Sequence, residues 1–358
     1  MASFTTHRAI FLFVLLSGIS TIGTAIAGHA DFSGTSISIG VQNADAIGNP
    51  AKVHARTWEQ RTGGKAKVLP SDFSQLFIDY MASLRADEPV YDVLLFPSAW
   101  AADFYPYLTE MPNELVDSET FDDIHPIYRD RLMTWDGKWI AATIDGDLFN
   151  GYYRKDLFED PLNRSQFRAR YGYELFPPDT WKQYRDIAEF FTGRLQRDGT
   201  RVFGTAEAFA RNGQQFWTLF SRSSAYTNHP DHPGAQFFDP DTMRAQVNNP
   251  GWIRAVNEYR DILRFSPPGA ENFGIVEARK AFLSGRTAMA LDWGDTAQLS
   301  ADPSQSKVSG KVGFFVLPGT KRIWNGRLWQ WDDMQSAHKA PFLAFGGWIA
   351  GVPKNSHH

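Results

Sequence analysis

The first third of this chain alternates short apolar runs with amphipathic stretches, and that alternation constrains the fold more than any other feature. Ile37–Val41 reads as a short alternating strand that ends at Gln42-Asn43. Asn49-Pro50 then supplies a helix cap and first helical position; Val53, Thr57, Trp58 and Arg61 follow at helical spacing, and Gly63-Gly64 stops the run. Lys65–Leu69 reads as a second strand. Ser71-Asp72 opens a second helix with Phe73, Leu76, Phe77, Tyr80, Met81 and Leu84 on one face, and Val93–Phe96 is a continuous apolar third strand. This βαβαβ start predicts an α/β fold whose parallel sheet is covered by helices on both faces.

Further along, Trp135–Asp160 couples a short apolar strand to two carboxylates and then a helix start, which reads as a crossing between two lobes beside a ligand. Asp136-Gly137 signals a tight turn, and Asp145-Gly146-Asp147 puts charge where a buried strand would have none. Thr180 and Gln183 form a capping-box pattern ahead of Trp181, Tyr184, Ile187, Ala188 and Phe191. A helix is expected over about Ile253–Leu263, and strands over Ala288–Asp292, Val312–Leu317 and Phe345–Val352. There is no internal repeat and no low-complexity linker, so two lobes are expected to interleave.

Residues 1–30 carry Arg8, an apolar stretch from Ala9 and small residues near Ala27, the pattern of a secretory signal peptide. Removing them leaves 35 basic residues against 40 acidic, a formal charge of −5, and nothing suggests a nucleic-acid surface. The chain has no cysteine, which excludes disulfides, thiolate metal sites and a lipidated N-terminal cysteine. A diffusible periplasmic protein is the expectation. The remaining roughly 330 residues imply about two domains. With 12 Trp and 15% aromatic residues, some rings are left over from the core to line a cleft.

Asp136-Gly137-Lys138 through Tyr153–Phe158, Pro177–Trp181, Phe282–Ala290, Val312–Pro318 and Gly346–Pro353 together resemble, in order, the extracellular solute-binding proteins of ABC importers that include the maltose/maltodextrin-binding protein. The resemblance covers Ile37 to Ser356 and implies a two-lobed periplasmic-binding-protein fold of type II with three inter-lobe crossings. These crossings fall near Thr143–Asp147, Asp292–Asp295 and Ala344–Trp348. It implies a first lobe of residues 31–144 plus 294–344 and a second of 145–293 plus 345–358. Family members continue beyond the third crossing strand with C-terminal helices, so the second lobe is expected to be C-terminally incomplete. It also implies a monomer that delivers a sugar or polyol to importer permease subunits, with no cofactor and no enzymatic activity.

The candidate site residues each have a structural alternative. Asp145 and Asp147 stand two strand positions apart, about 6.6 Å on one face, or belong to a solvated turn redirected at Gly146. By resemblance Asp147 is the ligand contact. Trp100 and Asp103 share one helical turn beyond Val93–Phe96; the resemblance implies a sugar contact there, and the alternative is a core ring with a first-turn acid. Asp292 and Trp293 end the second expected crossing, offering a stacking ring beside a carboxylate. Resemblance adds Glu207 and Phe209 from the second lobe; Asn43 and Gln75 lie at strand and helix ends, and Trp348 lines the cleft or packs the third crossing. His229-Pro230-Asp231-His232-Pro233 lacks helical or strand ligand spacing and reads as an exposed turn, so no metal is expected. The rival readings are a secreted glycoside-active enzyme using Asp145 and Asp147, and a binding protein for a non-sugar solute such as a phosphorylated compound or peptide, which should place Arg or Lys in the cleft.

Overall fold

The computed structural model describes residues 31–196, 198–340, 342 and 346–358; the leader expected over residues 1–30 lies outside them. The expected βαβαβ unit is present. Strand Ser36–Gln42 pairs in parallel with Lys65–Ser71 on one side and Val93–Pro97 on the other, and helices Asp45–Thr62 and Phe73–Leu84 make the crossovers. Leu76, Tyr80 and Leu84 bury the apolar face of the second helix against Val41, Leu94 and Phe96. The Tyr80 hydroxyl donates to the Leu95 carbonyl at 3.0 Å, which satisfies its polar tip inside that core. The first helix starts earlier than Asn49-Pro50 suggests: Ile47 and Gly48 amides already donate to the Ala44 carbonyl, so Pro50 falls inside the helix.

The first sheet has five strands, in the order Lys65–Ser71, Ser36–Gln42, Val93–Pro97, Trp348–Gly351, Ala142–Asp145. A second sheet of four runs Val312–Phe315, Asn150–Arg154, Thr287–Asp292, Phe203–Ala206. Helix Trp181–Phe191 covers it, opened by the anticipated capping box: the Gln183 amide donates to Thr180 Oγ1 at 3.2 Å, and the Thr180 amide donates to Gln183 Oε1 at 3.0 Å. Trp181, Tyr184, Ile187 and Phe191 pack there with Phe158, Phe167 and Met289. No described helix is long and apolar enough to cross a membrane.

Strand pairing corrects two expectations about chain path. The chain leaves the first sheet at Asp145 and enters the second at Asn150, as expected, but Asp292–Asp295 is not a crossing. Helix Asp295–Ala301 packs Ala297 and Leu299 onto Tyr152 and Phe282, and Val312–Phe315 then pairs with Asn150–Arg154 in the same second sheet. The return is made between His338 and Trp348, giving two passages among the described residues. The lobe boundaries change accordingly. Much of residues 294–344 builds the second lobe, and the segment after residue 345 builds the first, where Trp348–Gly351 pairs between Val93–Pro97 and Ala142–Asp145. Asn355 Nδ2 donates to the Ser83 and Ala86 carbonyls and Ser356 Oγ to Asp92, fastening the terminal residues to that lobe.

Candidate functional site

Where the two sheets face each other, a narrow crevice with a cavity volume of only ≈ 20 Å³ is lined by Gln42, Ala44, Phe73 and Trp348 from the first lobe, and by Asp147, Gln214, Trp217, Ile275, Arg279, Trp293 and Asp295. Several of these groups reach it from an element end. Gln42 closes the first strand, Phe73 opens a helix, Trp348 begins the return strand, and Trp293 follows the strand Thr287–Asp292. Ligands of open α/β sheets lie beyond strand ends of this kind.

Asp147 lies in the first passage, 4% exposed, and its Oδ1 accepts the Gly294 amide at 2.6 Å. Burial first, then the nearby Asp295 and Asp145 carboxylates, push its pKa up to about 9. Asp145 is pushed up to about 6 by burial and by Asp295, with Arg279 opposing the rise. Asp295 is also raised, chiefly by burial. One oxygen from each of these three carboxylates lies within 4.8 Å of the other two.

Asp292 is in a different situation. Arg279 grips it in two-pronged fashion, Nε to Oδ2 at 2.8 Å and Nη2 to Oδ1 at 2.9 Å, while Thr296 and the Trp293 amide also donate to it. Its acceptor capacity is spent on the protein, so Asp292 positions Arg279 and Trp293 and is not available to a ligand. Neighbouring Trp293 does line the crevice, edge-to-face with Phe149 at 5.0 Å.

The remaining sequence candidates divide by position. Trp348 lines the crevice and packs edge-to-face on Phe73. Trp100 sits behind Phe73, in a ring cluster with Phe77 and Phe104, and Asp103 is solvent-exposed on the short helix beside it. Asn43 and Gln75 are exposed and occupied with Asp72 and Asp79. Phe209 stacks on Tyr259 at 5.0 Å. Glu207, 0% exposed, accepts from Arg222 Nη2 with both oxygens at 3.1 Å and from the Tyr184 hydroxyl at 2.9 Å, deep in the second lobe. Replacing it by Gln should cost roughly 1–3 kcal/mol in urea unfolding, by weakening the partners of Arg222, while leaving ligand affinity unchanged. A loss of affinity without a loss of stability would return Glu207 to the site.

Sequence reading missed Arg279, Asp295, Gln214, Trp217 and Phe73 as site residues. For Phe73 and Asp295 a signal existed, since both directly follow the turn residues that end the strands facing the crevice. Arg279 had none, because its helix Ile275–Leu283 is buried on most of its surface and the carboxylates that hold the guanidinium, Asp292 and Asp295, lie on later elements.

Similar architectures are known. The chain is similar to an ABC transporter solute-binding protein of Agrobacterium radiobacter K84 in complex with ribitol, with 21% identity over 91% of this chain and 73% of that one, and a TM-score of 0.70. It is also similar to one of Agrobacterium vitis S4 with bound D-mannitol (22% identity, 90% and 69% covered, TM-score 0.69) and to maltose-bound MalE3 of T. maritima (20%, 90% and 73%, 0.69). No curated protein matches the sequence. The family profile of bacterial extracellular solute-binding proteins matches residues 44–358. With that match over most of its length and a two-lobed architecture to accompany it, the chain belongs to the bacterial extracellular solute-binding protein family.

Proposed function

We propose that this protein captures a neutral polyhydroxylated solute, a sugar or polyol, between its lobes in the periplasm and delivers it as a monomer to the permease subunits of an ABC importer. The observation that carries this reading is the composition of the crevice: Trp293, Trp348, Trp217 and Phe73 beside Asp147, Gln42 and Gln214. Sugars and polyols present apolar C–H faces and hydroxyl edges, which rings and acceptor groups match together. The ribitol, mannitol and maltose bound by the structural neighbours belong to the same chemical class. Closure of the lobes would expel water, and a solute lacking one recognised hydroxyl would leave a buried acceptor unpaired at a cost of about 1–3 kcal/mol.

Calorimetry and thermal-shift screening over sugars and polyols should find a saturable single-site ligand. A screen of both classes with no binder would sink the reading. With a ligand in hand, Trp293→Ala should weaken binding at least about tenfold, because the ring's stacking face is lost. Unchanged affinity would remove Trp293 from the site.

The raised pKa values of Asp145 and Asp147 favour one rival, acid–base cleavage of a glycosidic bond. Product analysis after incubation with oligosaccharides separates the two: turnover supports the enzyme, and binding without products supports carriage.

A further inference from the structure

The crevice shares a border with an open, mostly apolar groove of ≈ 710 Å³ on the first lobe: Ala46, Ile47 and Asp295 line both. Helix Asp45–Thr62 contributes Ile47 and Trp58 to the groove, and the first sheet contributes Leu95 and the directly paired Ile39 and Val93. Ile144, 46% exposed on the strand Ala142–Asp145, extends it toward the first passage. Ile39 and Val93 stay half-buried, although inner strands of a parallel sheet are ordinarily covered on both faces. Apolar surface left open in this way marks a place where something binds.

The crevice itself has no room for anything beside a sugar. Its cavity volume is close to what a single water requires. It is shut where the lobes touch at Phe73: a Cβ added to Gly213 of the second lobe, at φ 93°, would already lie 3.4 Å from the Phe73 ring. Past Ala46 and Ile47 it adjoins the groove instead.

We propose that the solute is a glycoside with a neutral apolar aglycone, its sugar held in the crevice and its alkyl or aryl group laid over Ile47 into the groove, which rests on the sugar-binding reading of the crevice. The shared border, and not the apolar face alone, identifies the occupant; a partner protein seated on this face would have no need of the crevice. No Lys or Arg lines the groove among the described residues, and its carboxylates are Asp145 and Asp295, so a phosphate, sulfate or carboxylate on the aglycone finds no partner there. Arg279 does not supply one, being committed to Asp292 and Asp295. Each methylene moved from water onto the groove tightens binding by about fourfold. A short alkyl chain is therefore enough to make the glycoside preferred over the free sugar.

The test compares methyl and octyl glycosides of glucose, galactose, mannose and maltose by calorimetry on the full chain, with the octyl compounds below their micelle concentration. For the sugar that binds, the octyl form should bind at least about tenfold more tightly than the methyl form. Ile144→Thr should shrink that ratio at least about threefold, whereas Val256→Thr, at a similarly exposed apolar position on the helix Pro250–Ile262, should leave it unchanged. Because the ratio is taken within each variant, a general loss of stability does not imitate the effect. Equal affinity of the methyl and octyl forms overturns the aglycone assignment and leaves the sugar reading standing. A gain that 1-octanol reproduces without a sugar, or that Ile144→Thr does not touch, also overturns it, since the groove would then act alone, as a surface for a protein partner does. If free sugars or polyols bind and no glycoside does, the aglycone assignment falls by itself; if none of them binds, the solute reading falls with it.

Discussion

Arg279→Ala is expected to destabilise the protein by about 3–5 kcal/mol, the cost of stranding a buried charge once its partner is removed. Asp292 is 1% exposed and receives both prongs of the guanidinium, and Asp295 receives a further bond at 2.8 Å. Burial opposes the charged form of Arg279, yet Asp292, Asp295 and Asp147 outweigh it and push its pKa upward, so the guanidinium stays charged. Its removal leaves four carboxylates facing one another with no fixed cation. Urea unfolding should show a lower midpoint with an unchanged slope, since the surface exposed on unfolding is the same. Arg279→Lys keeps a charge but loses the planar fork, and should fall between the two. The double variant Arg279→Met with Asp292→Asn should be less damaged than Arg279→Ala alone, because both halves of the pair are then neutral. If Arg279→Ala cost less than 1 kcal/mol, water would have to reach Asp292, contrary to its burial.

That pair also marks where sequence reasoning loses its hold. Asp292 and Trp293 are visible as the charged and aromatic end of an apolar strand, and the position is right. The role of Asp292 is not visible, since its partner lies 13 residues upstream on a helix whose buried face is nearly continuous. Glu207 fails for the same reason: Arg222, 15 residues later on the helix Gln215–Thr227, neutralises it out of sight of any local pattern. Local signals carry well where the determinant is local. The strand at Ile37–Val41, the continuous run Val93–Phe96, the Gly63 helix stop at φ 75° and the Thr180/Gln183 box all appear in the structure as expected, although burial along the first strand rises from one end to the other and does not alternate. The exchanged lobe segments are the opposite case. Val312–Phe315 and Trp348–Gly351 are both four-residue strands with aromatic and small residues, and only their distant pairing partners, Asn150–Arg154 and Val93–Pro97, decide which sheet each joins.

Gly347→Ala should be about as damaging as the loss of Arg279, and for a purely steric reason. Gly347 has φ 111°, and a Cβ added there would lie 1.8 Å from the Asp145 carbonyl oxygen and 2.9 Å from the Asp147 amide nitrogen. These obstacles are backbone atoms at the place where the two passages lie against each other, so no side chain can swing aside. An unfavourable φ costs roughly 1–2 kcal/mol and the forced separation of packed backbones a further 1–3, giving about 2–5 kcal/mol in all. Adjacent Gly346 provides the control. Its φ is 74°, within reach of the left-handed region, and its added Cβ would meet the tip of the Leu132 side chain at 2.9 Å, which can move. Gly346→Ala should therefore cost only about 1–2 kcal/mol. The two variants should differ in function as well, because spreading the passages at Gly347 displaces Asp145–Asp147 and with them the carboxylate at the crevice floor. Thermal unfolding and solute titration of both variants check this: Gly347→Ala should lose stability and affinity together, and Gly346→Ala should retain affinity. Equal, mild behaviour of the two would mean that the passages are not in contact at Gly347, and that closure of the lobes pivots elsewhere.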